Sequence, residues 1–238
     1  MAHISRKELK KDDLRETLAH GADAVLSHQQ LTLYLLIAAL VVGLGVYGWW
    51  TYSQRQTLKA SVAFDAAMKI FQAPLASPGT PPLPNEPMYL DPDKKYTDAS
   101  QKFGDVAAKY PRTRPGQLAK YYYALSLEKV GKNEQAKSLL QPLAGGDGEF
   151  APIAKFELAE LDDFTGQGDE AGKLYQQLMD KPTVLVPKPV AMLALAEHYR
   201  DKDPAQAAKL YGQIKSDYPD TKIADQASQE LALLPGKS

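Results

Sequence analysis

The chain has 238 residues, 28 of them basic and 29 acidic, for a formal net charge of -1. That length fits one sizeable folded region with an appendage rather than several domains, and the balanced charge argues against a polyanion such as nucleic acid as partner. There is no cysteine, which excludes disulfides, thiolate metal sites and cysteine nucleophiles.

The first 30 residues form a charged leader. Leu9, Leu14, Leu18 and Val25 stand among charges over residues 4–27, and Ser5 with Glu8 has the spacing of a capping box. The pattern predicts an amphipathic surface helix.

From Leu31 to Ser53 no side chain is charged. At about 1.5 Å per residue such a helix spans a hydrocarbon core of roughly 30 Å. Tyr47, Trp49, Trp50 and Tyr52 cluster at its C-terminal end, where amphipathic rings settle at the headgroup level. A cleaved signal would have a shorter leader and small residues at its close, so a retained transmembrane anchor is expected. Arg6, Lys7, Lys10, Lys11 and Arg15 precede the span, whereas Arg55, Lys59 and Lys69 after it are more dispersed. Counting basic residues alone, this bias predicts a cytoplasmic N-terminus and an exported body. In a bacterium that is a single-pass inner-membrane protein facing the periplasm. Gly43, Gly45 and Gly48 spell GxGxxG, but that fingerprint works between a strand and a helix N-terminus, and here it falls inside apolar helix. Ala39 and Gly43 give a small-xxx-small step that would allow a second helix to approach.

Residues 57–72 return to helical patterning, through Leu58, Val62, Phe64, Met68 and Phe71. Prolines at 74, 78, 81, 82, 84, 87 and 92 then break it, predicting a loop or semi-rigid linker that serves as a spacer or a docking site.

Beyond residue 94 the chain repeats. Gly131 to Leu140 superposes on Gly166 to Tyr175, and Lys202 to Tyr211 keeps the spacing, so Ala136, Ala171 and Ala207 recur in register. Ala124 and Ala159 precede the first two by the same interval, and Leu195 takes that place in the third. Small residues allow two helices to cross closely, and glycine allows the chain to reverse between them. Leu140, Tyr175 and Tyr211 share a face with those alanines, and Pro115, Pro152 and Pro189 mark helix starts. The prediction is an all-α solenoid: hairpins at 115–144, 150–180 and 188–217, a helix at Tyr96–Tyr110 before them, and a capping helix at Lys222–Leu233. Residues 57–72 would pair with 96–110 as a first, loop-interrupted hairpin. The expected organisation is thus leader 1–30, transmembrane helix 31–53, juxtamembrane helix and proline-rich linker 54–93, and repeat domain 94–238.

These positions resemble the tetratricopeptide repeat family, with small residues at the helix crossing, glycine in the turn and an aromatic four residues on. Pro111 and Pro219, in Lys-Tyr-Pro-Arg-Thr and Asp-Tyr-Pro-Asp-Thr, match the repeat-end proline, while the middle copies have Gly148 and Thr183 there. The resemblance implies a concave partner-binding surface lined by Leu118, Tyr121, Leu125, Glu128 and Lys129 in the first full copy. The second gives Ile153, Phe156, Glu160, Asp163 and Phe164, and the third Pro189, Met192, Ala196, Tyr199 and Arg200. The family's carboxylate clamp for chaperone C-termini is not matched, since Tyr121/Leu125, Phe156/Glu160 and Met192/Ala196 occupy its places. An apolar and aromatic groove for an extended or helical protein segment is the expectation.

No catalytic constellation emerges. His3, His20, His28 and His198 are scattered without metal-ligand spacing, and Glu157, Glu160, Asp162 and Asp163 read as a solvated acidic face. No cofactor is expected, and no nucleic acid or small-molecule substrate. Leader, span and exported repeats together resemble the YfgM-like ancillary subunits of the Sec translocon. That resemblance implies translocon subunits, periplasmic chaperones or exported clients as partners. The Tyr-Pro-Asp-Thr ending is also similar to that of envelope adaptors in outer-membrane assembly or cell-wall and cell-division coordination, which are usually lipoproteins or free.

Overall fold

The computed structural model describes residues 29–76 and 87–234. The predicted leader helix and prolines 78, 81, 82 and 84 lie outside the described residues, as do three of the four histidines. The described chain is all-α, with helices α1 (Gln29–Phe71), α2 (Pro92–Lys109), α3 (Arg114–Lys129), α4 (Asn133–Ala144), α5 (Ala151–Phe164), α6 (Gly168–Asp180), α7 (Lys188–Tyr199), α8 (Pro204–Asp217) and α9 (Lys222–Leu233). It divides into two compact units at Arg55 and Gln56.

The first unit contains the apolar part of α1, a helix long and apolar enough to cross a membrane, with none of its most apolar stretch buried. Leu35, Val42, Leu44 and Trp49 all face outward. In water such a surface would be costly, which makes this helix a candidate membrane span. Thr51 donates back to the Gly48 carbonyl at 3.0 Å, and the glycines of the GxGxxG run lie inside this helix.

From α2 to α9 each helix packs on its neighbours in the chain. The residues following Gln56 supply Ala60 and Ala67, both fully buried, against Ala99, Phe103 and Val106 of α2. Phe64 and Phe71 meet Phe103 at ring-centroid distances of 5.6 and 6.0 Å, and Tyr122 of α3 stacks on Phe103 at 5.3 Å. Residues 57–72 therefore do pair with α2, as the loop-interrupted hairpin predicted. At the base of the loop between them, Leu75 and Tyr89 form an isolated bridge. Ala76 donates to the Tyr89 carbonyl at 2.9 Å and Tyr89 to the Pro74 carbonyl at 3.2 Å.

The hairpins α3–α4, α5–α6 and α7–α8 stand where the repeat placed them. Ala124, Ala136, Ala159, Ala171 and Ala207 are completely buried, and Leu140, Tyr175 and Tyr211 fill the space between hairpins. Gly131 (φ +72°) and Gly166 (φ +83°) end α3 and α5 in the left-handed region. The amides two residues past each cap reach back to Leu127 and Asp162, a reversal that glycine makes at little cost. The third hairpin lacks this glycine; Asp203 instead donates its amide to Tyr199 and caps α8 by accepting from the Gln206 amide at 3.0 Å.

The two Tyr-Pro-x-Thr segments form one kind of turn. Thr113 donates to the Tyr110 carbonyl at 2.9 Å and accepts from the Gly116 amide; Thr221 repeats this with Tyr218 and Ala224. One hydroxyl thus closes the outgoing helix and caps the incoming one. The middle connections manage without it. In one, Glu149 pairs with Arg114 at 2.7 Å beside buried Phe150; in the other, Thr183 and Val186 exchange hydrogen bonds of 3.0 and 3.1 Å around buried Val186.

Candidate protein-binding face

The first helix of each hairpin turns side chains toward the first helix of the next. Tyr121 of α3 donates to Glu157 Oε2 of α5 at 3.2 Å. Asp163 of α5 holds His198 of α7 at 2.7 Å and Lys202 at 3.4 Å. Glu197 of α7 accepts from Gln226 of α9 at 3.2 Å, and Arg200 reaches Glu230 at 3.6 Å. These contacts join four alternate helices, α3, α5, α7 and α9, along one continuous face.

What dominates that face is carboxylate, not hydrocarbon. Burial is the first cause pushing the Glu157 carboxyl up to about 8, followed by the hydrogen bond and charge of Glu128 across the hairpin boundary and the charge of Glu160. Oε2 of Glu128 is buried with no hydrogen-bond partner. Glu160 is raised by partial desolvation, then by Glu128 and Glu197, with Lys129 opposing. Glu197 is raised by partial desolvation and by Glu230, with Arg200 and Gln226 opposing. Three tyrosines border the row. Tyr121 and Tyr175 are pushed upward by burial and then by neighbouring carboxylates, Glu157 for the first and Glu160 for the second. Burial and then Glu197 and Glu230 push Tyr211 up to about 12.

The predicted lining residues have different fates. Leu118, Tyr121, Leu125, Glu128 and Tyr199 are half-buried, while Glu160 and Arg200 are exposed. Phe156 is half-buried against the core and packs edge-on to Tyr175 at 5.8 Å. Phe164 is 80% exposed at the end of α5. Met192 is 3% exposed and Ala196 fully buried; both serve the core under α7, whose buried residues run unbroken from Ala191 to Ala196. Of the expected lining, Met192 and Ala196 therefore belong to the core rather than to a groove. Leucine and tyrosine are present, but Met192 does not reach the surface and acids run through the lining.

The acidic set on α5 also departs from a solvated face. Asp162 is buried and paired with Lys137 of α4, which also binds Gln167; Glu157 and Asp163 are engaged by neighbouring hairpins. Of the three consecutive tyrosines, Tyr122 enters the aromatic core and Tyr121 reaches Glu157. Glu197 and Glu230 were not singled out in the sequence, whereas Glu128 and Glu157 were. Their intervals do not follow the repeat that spaces Ala136, Ala171 and Ala207, so periodicity alone would not have found them.

A family described as tetratricopeptide repeat-like domain matches residues 27–182. No curated protein sequence matches the chain significantly. Among solved structures, the chain is similar to a Podosopora anserina protein of nearly identical TPR-like repeats at 16% identity and a TM-score of 0.50, covering 59% of this chain and 77% of that one. A single-residue variant of that protein gives 17% identity and a TM-score of 0.51 over the same shares. Likeness at this identity shows the solenoid fold.

Proposed function

Because the chain belongs to the tetratricopeptide repeat-like domain family, we propose that it is a membrane-anchored scaffold which holds segments of other proteins along its repeats, as an accessory beside the Sec translocon. Repeat solenoids of this kind typically present a surface for protein binding rather than an active site. The observation that carries the reading is the continuous face just described, in which α3, α5, α7 and α9 are linked side chain to side chain. The apolar, unburied helix of the first unit supplies the anchor. The basic residues before it favour a cytoplasmic N-terminus with the repeats in the periplasm. In that setting the partners are translocon subunits, periplasmic chaperones and exported clients.

Cross-linking of the full-length protein in membranes, with a control lacking residues 94–238, tests the reading by mass spectrometry of what is captured. Recovery of translocon subunits and periplasmic chaperones that depends on the repeats is the expected result. Repeat-dependent recovery of outer-membrane or cell-wall machinery instead would replace it with an adaptor role. Protease protection in spheroplasts checks the orientation: the repeats should be degraded from the outside.

A further inference from the structure

The connection between α6 and α7 sends its apolar side chains in opposite senses. Val186 is 3% exposed and packs with Leu178 and Ala191. Val184, two residues earlier, is 96% exposed, and Leu185 between them 43%. No large apolar residue in the unburied stretch of α1 is as open as Val184. The tip is held in place. Thr183 donates its amide to the Val186 carbonyl at 3.0 Å, and the Val186 amide donates to the Thr183 hydroxyl at 3.1 Å. Pro182 and Pro187 flank these four residues and fix φ on either side. With Val186 anchored in the core, Val184 and Leu185 are presented outward, and any surface that covers them comes from outside the repeats.

A second observation is the charge around the tip. Lys181 and Lys188 bracket it, both exposed, and among the described residues neither has an ion-pair partner. The adjoining acid, Asp180, accepts from Gln176 at 2.9 Å. Lys155 and Asp147, on the neighbouring side of the cleft below the turn, offset one another. An apolar tip between two long-stemmed cations suits a lipid surface: the hydrocarbon enters the acyl boundary while the ammonium groups stay with the phosphates. An apolar pocket on a partner protein would account for the valine and leucine but leave both lysines without a role.

We propose that the Val184–Leu185 turn docks on an anionic phospholipid surface, its two side chains entering the acyl boundary while Lys181 and Lys188 settle against headgroup phosphates. The inference rests on the reading of α1 as the anchor, which holds the repeats at high effective concentration near a bilayer, and it adds a second membrane contact to that anchor. Two small apolar side chains and two cations bind lipid weakly on their own, so the contact is reversible and depends on the tether.

The test uses full-length protein in phosphatidylglycerol nanodiscs, with part of the lipid carrying a diazirine in its acyl chain. After illumination, lipid adducts are mapped by mass spectrometry. Adducts are expected on the apolar residues of α1 and also on residues 182–187. In phosphatidylcholine nanodiscs, and in a K181Q/K188Q variant, the adducts on 182–187 should fall about tenfold while those on α1 hold. V184D with L185D should remove them, and a thermal melt equal to the parent's confirms that each variant folds. Labelled α1 with a bare turn overturns the proposal and leaves the anchor reading intact. Equal labelling of the turn in both lipids overturns it as well, because charge then plays no part. Absence of adducts on α1 overturns both readings. In native membranes, a photoreactive phenylalanine placed at Val184 that captures protein and no lipid replaces the lipid surface with a protein pocket.

Discussion

Lys137 on α4 reaches across a hairpin boundary to the carboxylate of Asp162 on α5, whose side chain is 4% exposed against 15% for the lysine. The pair is unequal, because the long lysine stem can swing its charge to water and the short aspartate cannot. Removing Lys137 strands a buried charge, and K137M should cost roughly 3 kcal/mol or more. D162N leaves an amide in place and a lysine free to rehydrate, so it should cost about 1–2 kcal/mol. Urea unfolding of the two variants measures the difference; equal losses would mean that Asp162 is solvated after all.

The Glu157 carboxyl gives the protein a pH dependence. Its folded value of about 8 lies above its ordinary 4.5, so the folded state binds that proton more tightly than the unfolded one. The resulting stability is fully present below about 4.5 and is lost as pH rises through 8. Glu160 and Glu197 shift in the same direction. After discounting for partial exposure, the loss between pH 6 and 9 should be about 1–2 kcal/mol, or a few degrees in melting temperature. E157Q should flatten most of it. A melting temperature that climbs across this range would contradict the raised Glu157 carboxyl.

The Tyr-Pro-x-Thr turns invite a direct comparison. T113A and T221A each remove a hydroxyl that caps one helix and closes another, and each should cost about 1 kcal/mol. Gly116 is less forgiving than Ala224 at the matching place, because a Cβ at Gly116 would run into the Tyr110 carbonyl, which is backbone and cannot swing aside. G116A should therefore lower the melting temperature by more than T113A does, and calorimetry of the two variants decides it.

Phe103 touches Phe64, Phe71 and Tyr122 at once. F103A should cost about 3–5 kcal/mol. Since repeat arrays lose stability neighbour by neighbour, hydrogen exchange should rise first in residues 56–71 and α2, before α5 to α9 respond. Uniform loss of protection would show that the array unfolds as one unit.

Much of this fold was legible because its signals are local and periodic. Ala136, Ala171 and Ala207 mark helix crossings wherever they occur, and Pro115, Pro152 and Pro189 mark helix starts. The candidate face was less legible, because its character is set by which side chains meet across hairpins. Nothing within α5 singles out Glu157; only the register of α3 against it brings Glu128 and Tyr121 within reach. Met192 sits at a position the family places in the groove, yet the crowding of α7 by its neighbours turns it inward. The middle connections were legible only in part, since Glu149 with Arg114 and Thr183 with Val186 replace a proline signal by contacts particular to this chain.

The bridge between Leu75 and Tyr89 has a practical consequence. It pins both ends of the stretch between Ala76 and Pro87, so the helices on either side register the anchors rather than the sequence that joins them. The pairing of residues 57–72 with α2 is thus fastened at Pro74, Ala76 and Tyr89 themselves, by two backbone hydrogen bonds that no side-chain substitution there removes directly.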